Sequence, residues 1–70
     1  MIKTGKYRHF KGNLYQVLGT AIHTETGEEM VVYKALYGEG KVYVRPAAMW
    51  EEHVARDGYS GPRFAPVVDE

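Results

Sequence analysis

Between Tyr7 and Arg45 this chain alternates short runs of aromatic, β-branched and basic residues with glycines, and that alternation most restricts its fold. Residues 6–10, Lys-Tyr-Arg-His-Phe, lead through Lys11-Gly12-Asn13 into Leu14, Tyr15 and Val17, and Val42-Tyr43-Val44-Arg45-Pro46 ends the region. A period of two in runs this short, with turn residues between them, predicts antiparallel strands. A chain of 70 residues builds one domain, here a single small β-barrel domain over residues 1–70. The class expected is all-β: a barrel or roll of about five antiparallel strands with one short helix.

A domain of this size buries only about 60% of its unfolded surface and commonly leans on disulfides, metals or a second chain. There is no cysteine, which removes disulfides and thiolate metal sites. Met1 to Phe10 is polar and basic without an apolar run, so neither a secretory signal nor a membrane span is expected, and the expected location is cytoplasmic. Nine bases balance nine acids, but unevenly. Residues 1–24 hold Lys3, Lys6, Arg8 and Lys11 with no acid, a balance of +4, and residues 25–70 hold nine acids and five bases, a balance of −4. That split suits a polyanion footprint, docking on the acidic half of the same or a neighbouring molecule, or a merely solvated basic face.

The spacing predicts a first strand over residues 6–10 and a second over residues 14–23, joined by the three-residue turn Lys11-Gly12-Asn13 with Asn13 left-handed. This register pairs Phe10 with Leu14, His9 with Tyr15 and Tyr7 with Val17. It puts Tyr7, His9, Tyr15 and Val17 on the core face, and Lys6, Arg8 and Gln16 on the other. Gly19 marks a bulge or a sharp bend. Thr24 to Glu28 is a hairpin tip. A third strand follows over residues 30–37, with Glu39-Gly40 as the next turn. Val31, Tyr33, Ala35, Tyr37, Val42 and Val44 then form one apolar face that buries no lysine. Pro46 starts a helix whose apolar edge is Met49, Trp50, His53 and Val54, and Gly58 stops it. In the tail Phe64 plugs the barrel, Pro66 confines its segment to a sheet edge, and Asp69 and Glu70 fray.

The run Gly5-Lys6-Tyr7-Arg8-His9-Phe10-Lys11-Gly12-Asn13-Leu14-Tyr15 resembles the opening of a bacterial family known as domain of unknown function 1653. The resemblance continues through Met30-Val31-Val32-Tyr33, Ala35-Leu36-Tyr37-Gly38 and Val44-Arg45-Pro46 with Met49. It implies a Src-homology-3-type (SH3-type) barrel or roll and brings no function with it. Tyr43 and Trp50 look exchanged in aromatic type against the family's usual Trp and Phe.

No residue set reads as a catalytic centre. His9, His23 and His53 lack the close spacing of zinc ligands, so no metal and no cofactor are expected. Ser60 in Gly-Tyr-Ser-Gly sits in a turn rather than a nucleophile elbow, and Glu51 and Glu52 diverge by about 100° on a helix. Gly38-Glu39-Gly40 is too short for a phosphate loop. A filled small barrel leaves little room for a substrate, so an enzyme is not expected.

The expectation is a small non-catalytic binding module. Its candidate ligand-binding residues are His9, Tyr15, Tyr33, Tyr37 and Arg45, with a candidate surface patch at Lys34, Leu36 and Tyr43 beside Val32. The partner expected is another protein or a second copy in a homodimer. Single-stranded nucleic acid on the same basic-aromatic surface is the alternative, and no membrane is involved. Arg45, held extended before Pro46, has Glu29 or Glu51 as alternative partners to a ligand.

Overall fold

The computed structural model describes residues 2–67, so the expected fraying of Asp69 and Glu70 lies outside the described residues. β1 (Gly5–His9), β2 (Leu14–Ile22), β3 (Glu29–Ala35) and β4 (Val42–Pro46) follow as antiparallel hairpins. A helix, α1 (Ala47–Trp50), turns the chain; β5 (His53–Arg56) and β6 (Tyr59–Pro62) form a separate ribbon; β7 (Phe64–Pro66) returns to pair with β1. The main sheet runs β4-β3-β2-β1-β7. The fold is all-β with one short helix, as the alternation requires. The described residues contain seven strands rather than about five, and the sheet stays open, with β4 and β7 as unjoined ends, rather than closing into a barrel.

The first hairpin keeps a three-residue loop but sets it one place earlier, at Phe10-Lys11-Gly12. The His9 N–H donates to the Asn13 carbonyl at 2.8 Å and the Gly12 N–H to the His9 carbonyl at 2.7 Å. Gly12, at φ +109, takes the conformation assigned to Asn13, because glycine has no Cβ to resist it. Tyr7 therefore pairs with Tyr15 and Arg8 with Leu14, two residues from the expected register. A shift of two preserves every face. Tyr7 and Val17 are buried, and His9 and Tyr15 are half-buried beside them. The bulge falls where Gly19 signals it: Val17 pairs with Tyr33 and Gly19 with Val32, leaving Leu18 without a partner.

The next hairpin overturns the expected register. Its loop is residues 36–40, not Glu39-Gly40: the Ala35 N–H donates to the Lys41 carbonyl at 3.0 Å and the Gly40 N–H to the Tyr37 carbonyl at 3.1 Å. Gly38 and Gly40, at φ +59 and +65, make this longer turn possible, and Leu36 leaves β3 by donating to the Leu14 carbonyl. Tyr33 now faces Tyr43, Val32 faces Val44 and Val31 faces Arg45. The offset from expectation is odd, so β4 turns over. Val42 and Val44, expected in the core, are 56% and 59% exposed, while Tyr43 and Arg45 join the side of Val31 and Tyr33. Tyr37, also expected on the apolar face, lies exposed in the loop. Lys34 does share a face with Val42 and Val44, but solvent reaches that face, so no lysine is buried.

The expected helix is cut to one turn. His53 and Val54 belong instead to the β5–β6 ribbon, whose turn is Asp57-Gly58, at φ +53 and +80, with Arg56 opposite Tyr59. Asp-Gly with both residues left-handed is a favoured two-residue hairpin turn, so Gly58 closes a hairpin rather than a helix. Trp50 and Val54 are buried, whereas Met49 and His53 face solvent.

The core gathers Tyr7, Val17, Val31, Tyr33, Ala47, Trp50 and Phe64, with Ile2 and Tyr15 packed on it. Phe64 is buried in this core and stacks on Trp50 with ring centroids 3.7 Å apart and planes within 2°. Pro66 lies on the terminal strand β7, where a missing N–H deprives no neighbour. No helix among the described residues is long and apolar enough to cross a membrane.

Candidate functional site

Phe64 is where the polar-aromatic residues of separate strands meet. His9 lies opposite it across β1 and β7, with the rings edge-on at 4.9 Å. Tyr15 from β2 and Tyr33 from β3 approach the same ring at 5.7 and 6.2 Å. The Arg45 guanidinium of β4 lies over it, 5.4 Å from the centroid. Tyr37 reaches in from the loop at residues 36–40, its hydroxyl oxygen 2.7 Å from that of Tyr15. The structure thus assembles His9, Tyr15, Tyr33 and Arg45 around one ring and attaches Tyr37 through Tyr15. Arg45 arrives there only because β4 is turned over; the expected register had left it on the outer face.

Lys34, Leu36 and Tyr43 do not form one surface. Lys34 pairs with Val42 on the outer face and Leu36 opens the loop, while Tyr43 faces Tyr33 with ring centroids 5.8 Å apart. The alternation that places Tyr33 inward must place Lys34 outward. Tyr43, 45% exposed, instead extends the tyrosine cluster toward solvent. Beside it a hollow of ≈ 200 Å³ runs under the loop between Tyr37, Lys41 and Tyr43. Drug-sized ligands occupy pockets of about 300–1,000 Å³, so this space suits one side chain or small group.

The electrostatics are one-sided. Partial burial, then Arg45, Arg63 and Lys11, hold the His9 imidazole below its ordinary 6.5. The Lys11 N–H donates to His9 Nδ1 at 3.1 Å, so the neutral ring carries its proton on Nε2. Burial and the hydrogen bond with Tyr37 push the Tyr15 phenol up to about 12, keeping it protonated. Arg45 makes no ion pair with Glu29, Glu51 or any other carboxylate among the described residues. The Nε atoms of Arg45 and Arg63 are buried without a hydrogen-bond partner, although a terminal nitrogen of Arg63 binds Glu52. Such donors are costly to leave unmade, at about 1–3 kcal/mol each.

Sequence reasoning missed two contributors, Arg63 and the platform role of Phe64. Adjacency of a basic and an aromatic residue was the one available signal, and many surface loops carry it. A second cluster pins the ribbon: Phe10 stacks on Tyr59 at 5.8 Å, with Arg56 and Lys11 over its ring at 5.7 and 5.9 Å. The other two histidines serve local roles. His23 accepts the Glu25 N–H at a hairpin tip, and His53 Nε2 lies 3.1 Å from Ser60 Oγ on the exposed ribbon.

The sequence model of the family described as Protein of unknown function (DUF1653) matches residues 5–66. A crystal structure of a DUF1653 protein from Bordetella bronchiseptica is 38% identical to this chain, with a TM-score of 0.85, covering 99% of this chain and 95% of that one. Among curated proteins none matches the chain.

Proposed function

We infer a role from the surface itself, because this chain belongs to the DUF1653 family of proteins of unknown function: we propose a small non-catalytic binding module that receives a segment of another protein. The supporting observation is the convergence of His9, Tyr15, Tyr33 and Arg45 on Phe64, bordered by the half-exposed Tyr37 and Tyr43. Aromatic rings with one unpaired arginine are the commonest anchors of protein interfaces, since they supply large contact area at low entropic cost. Against catalysis stand the protonation states. Tyr15 is held protonated, and the basic nitrogen of neutral His9 already accepts the Lys11 N–H. The His53–Ser60 pair is exposed, and no carboxylate orients its imidazole among the described residues.

Self-association is a second reading, favoured by β4. It ends the sheet, so one row of its backbone groups has no strand beside it among the described residues, and its outer Val42 and Val44 are exposed. Single-stranded nucleic acid would use Tyr43 for stacking and the basic residues for phosphates. The near-neutral net charge and the apolar outer face favour protein over it.

Selection from a random peptide library on the immobilised domain, followed by titration of the selected peptides, tests the proposal. Peptides should bind the wild type, lose about tenfold or more with Arg45→Gln or Tyr43→Ala, and show a shallow salt dependence. Oligonucleotides titrated alongside should bind weakly. A log–log salt slope of about −3, the mark of about four phosphate contacts, with no peptide selected would replace the protein reading by the nucleic-acid one.

A further inference from the structure

We infer that Arg45, with His9 beside it around Phe64, forms a receptor for one oxyanion, a carboxylate or phosphate group carried by the partner; this deepens the binding-module reading and rests on it. Aromatic walls alone would serve a cation equally well, since ring faces attract quaternary ammonium groups. The charges decide against that. Arg45 already lies over the Phe64 ring, and Arg63 and Lys11 approach closely enough to oppose a proton on His9. Glu52, the carboxylate that touches this group of cations, is engaged by Arg63. A second cation would meet several positive groups and, among the described residues, no free carboxylate.

An oxyanion meets donors. Arg45 Nε is closed off from solvent, but no carboxylate among the described residues engages the guanidinium, whose terminal nitrogens form a planar fork that matches two oxygens at once. Neutral His9 offers Nε2–H, because Nδ1 is occupied by the Lys11 amide. Of the paired Tyr15 and Tyr37 hydroxyls, one donates to the other, which leaves one O–H to donate elsewhere. The charged groups facing His9 are Arg45 from β4, Arg63 ahead of β7 and Lys11 from the hairpin loop, with the Phe10 and Phe64 rings uncharged beside it. An anion set among these cations makes His9 easier to protonate. By reciprocity it binds more tightly as pH falls.

Sodium sulfate, a tetrahedral dianion that does not titrate in this range, and sodium acetate, a carboxylate, are titrated into the isotope-labelled full chain at constant ionic strength, balanced with chloride. The Arg45 Nε–H resonance and the His9 ring protons are followed by NMR. The expected result is a saturable shift at both residues with half-saturation near about 10 mM, as suits one isolated group. The His9 midpoint should move upward, and Arg45→Gln should weaken binding about tenfold or more with the remaining amide spectrum unchanged. The anion that saturates first tells a phosphate-bearing partner from a carboxylate-bearing one. If Arg45→Gln does not fold, Arg45→Lys keeps the charge without the fork, and a loss of about threefold or more supports the inference. Shifts that rise linearly with both salts, or that are the same in the folded variant, overturn it. Selected peptides that still bind in that event leave the module reading standing; loss of both removes both.

Discussion

Val31 and Val44 are the same residue on neighbouring strands in opposite surroundings, 0% and 59% exposed. Replacing either by alanine removes the same two methyl groups. At Val31 the lost burial, about 0.8 kcal/mol per methyl-sized group, comes to about 1.6 kcal/mol. The cavity left in the cluster of Tyr33, Trp50 and Phe64 raises the cost to about 2–3 kcal/mol. At Val44 less than half of the residue is shielded and no closed cavity forms, so the loss stays below about 1 kcal/mol even with alanine's lower strand preference. With a urea m value of about 1 kcal/mol/M for so small a domain, the midpoint falls by about 2–3 M for Val31→Ala and by under about 1 M for Val44→Ala. The total stability of a chain this long is about 3.5–10 kcal/mol, so Val31→Ala remains measurable except at the lower end. Equal losses, or a larger one at Val44, would refute the reasoning. They would return Val44 to the core and Arg45 to the outer face, and the assembly around Phe64 would go with them.

Gly58→Ala places a Cβ in open space at φ +80, so its cost of about 1–2 kcal/mol in a urea melt is conformational alone; an unchanged midpoint would contradict the Asp57-Gly58 turn. Because His9 is held below 6.5, the unfolded chain takes up that proton first. Its contribution to stability is present above pH 6.5 and is lost as pH falls through the lower folded value, a slope that thermal melts of His9→Gln should lack. Tyr15 is displaced the other way, from 10.0 to about 12, so its contribution is intact below pH 10 and disappears as pH rises toward 12; phenolate absorbance should show a late-titrating component that Tyr15→Phe removes. If β4 mediates self-association, sedimentation at tens of micromolar should detect a dimer that Val44→Lys removes, and a monomer at every concentration would leave the edge unused.

The parts of the fold legible in the sequence are those carried by local pattern. Tyr7 alternates with Lys6 and Arg8, and Tyr15 and Val17 flank the polar Gln16, so β1 and β2 declare both their type and their faces even when the pairing slips by two. Gly19 declared the bulge because a strand interior otherwise rejects glycine. The third hairpin was illegible for a definite reason. Residues 30–37 are apolar on both faces, and the Glu39-Gly40 turn is favoured only by keeping Lys34 out of a core that does not exist on that side of an open sheet. The β5–β6 ribbon was hidden by competition between two local signals. Met49, Trp50, His53 and Val54 satisfy a helical spacing, and Asp57-Gly58 satisfies a hairpin turn. The hairpin won because burying Trp50 against Phe64 needs only one helical turn.

The candidate site was legible by residue type and not by geometry. His9, Tyr15, Tyr33, Tyr37 and Arg45 stood out because each is an aromatic or basic residue able both to pack and to donate. What brings them together is the return of β7 from the far end of the chain to lie beside β1, a contact no local period encodes. The five-residue loop at 36–40 matters as much: a two-residue turn would keep the same strands, bury the valines and send Arg45 outward. Two glycines with positive φ therefore decide on which side of this sheet a guanidinium stands, and the conformation of that loop sets the chemistry the face can offer.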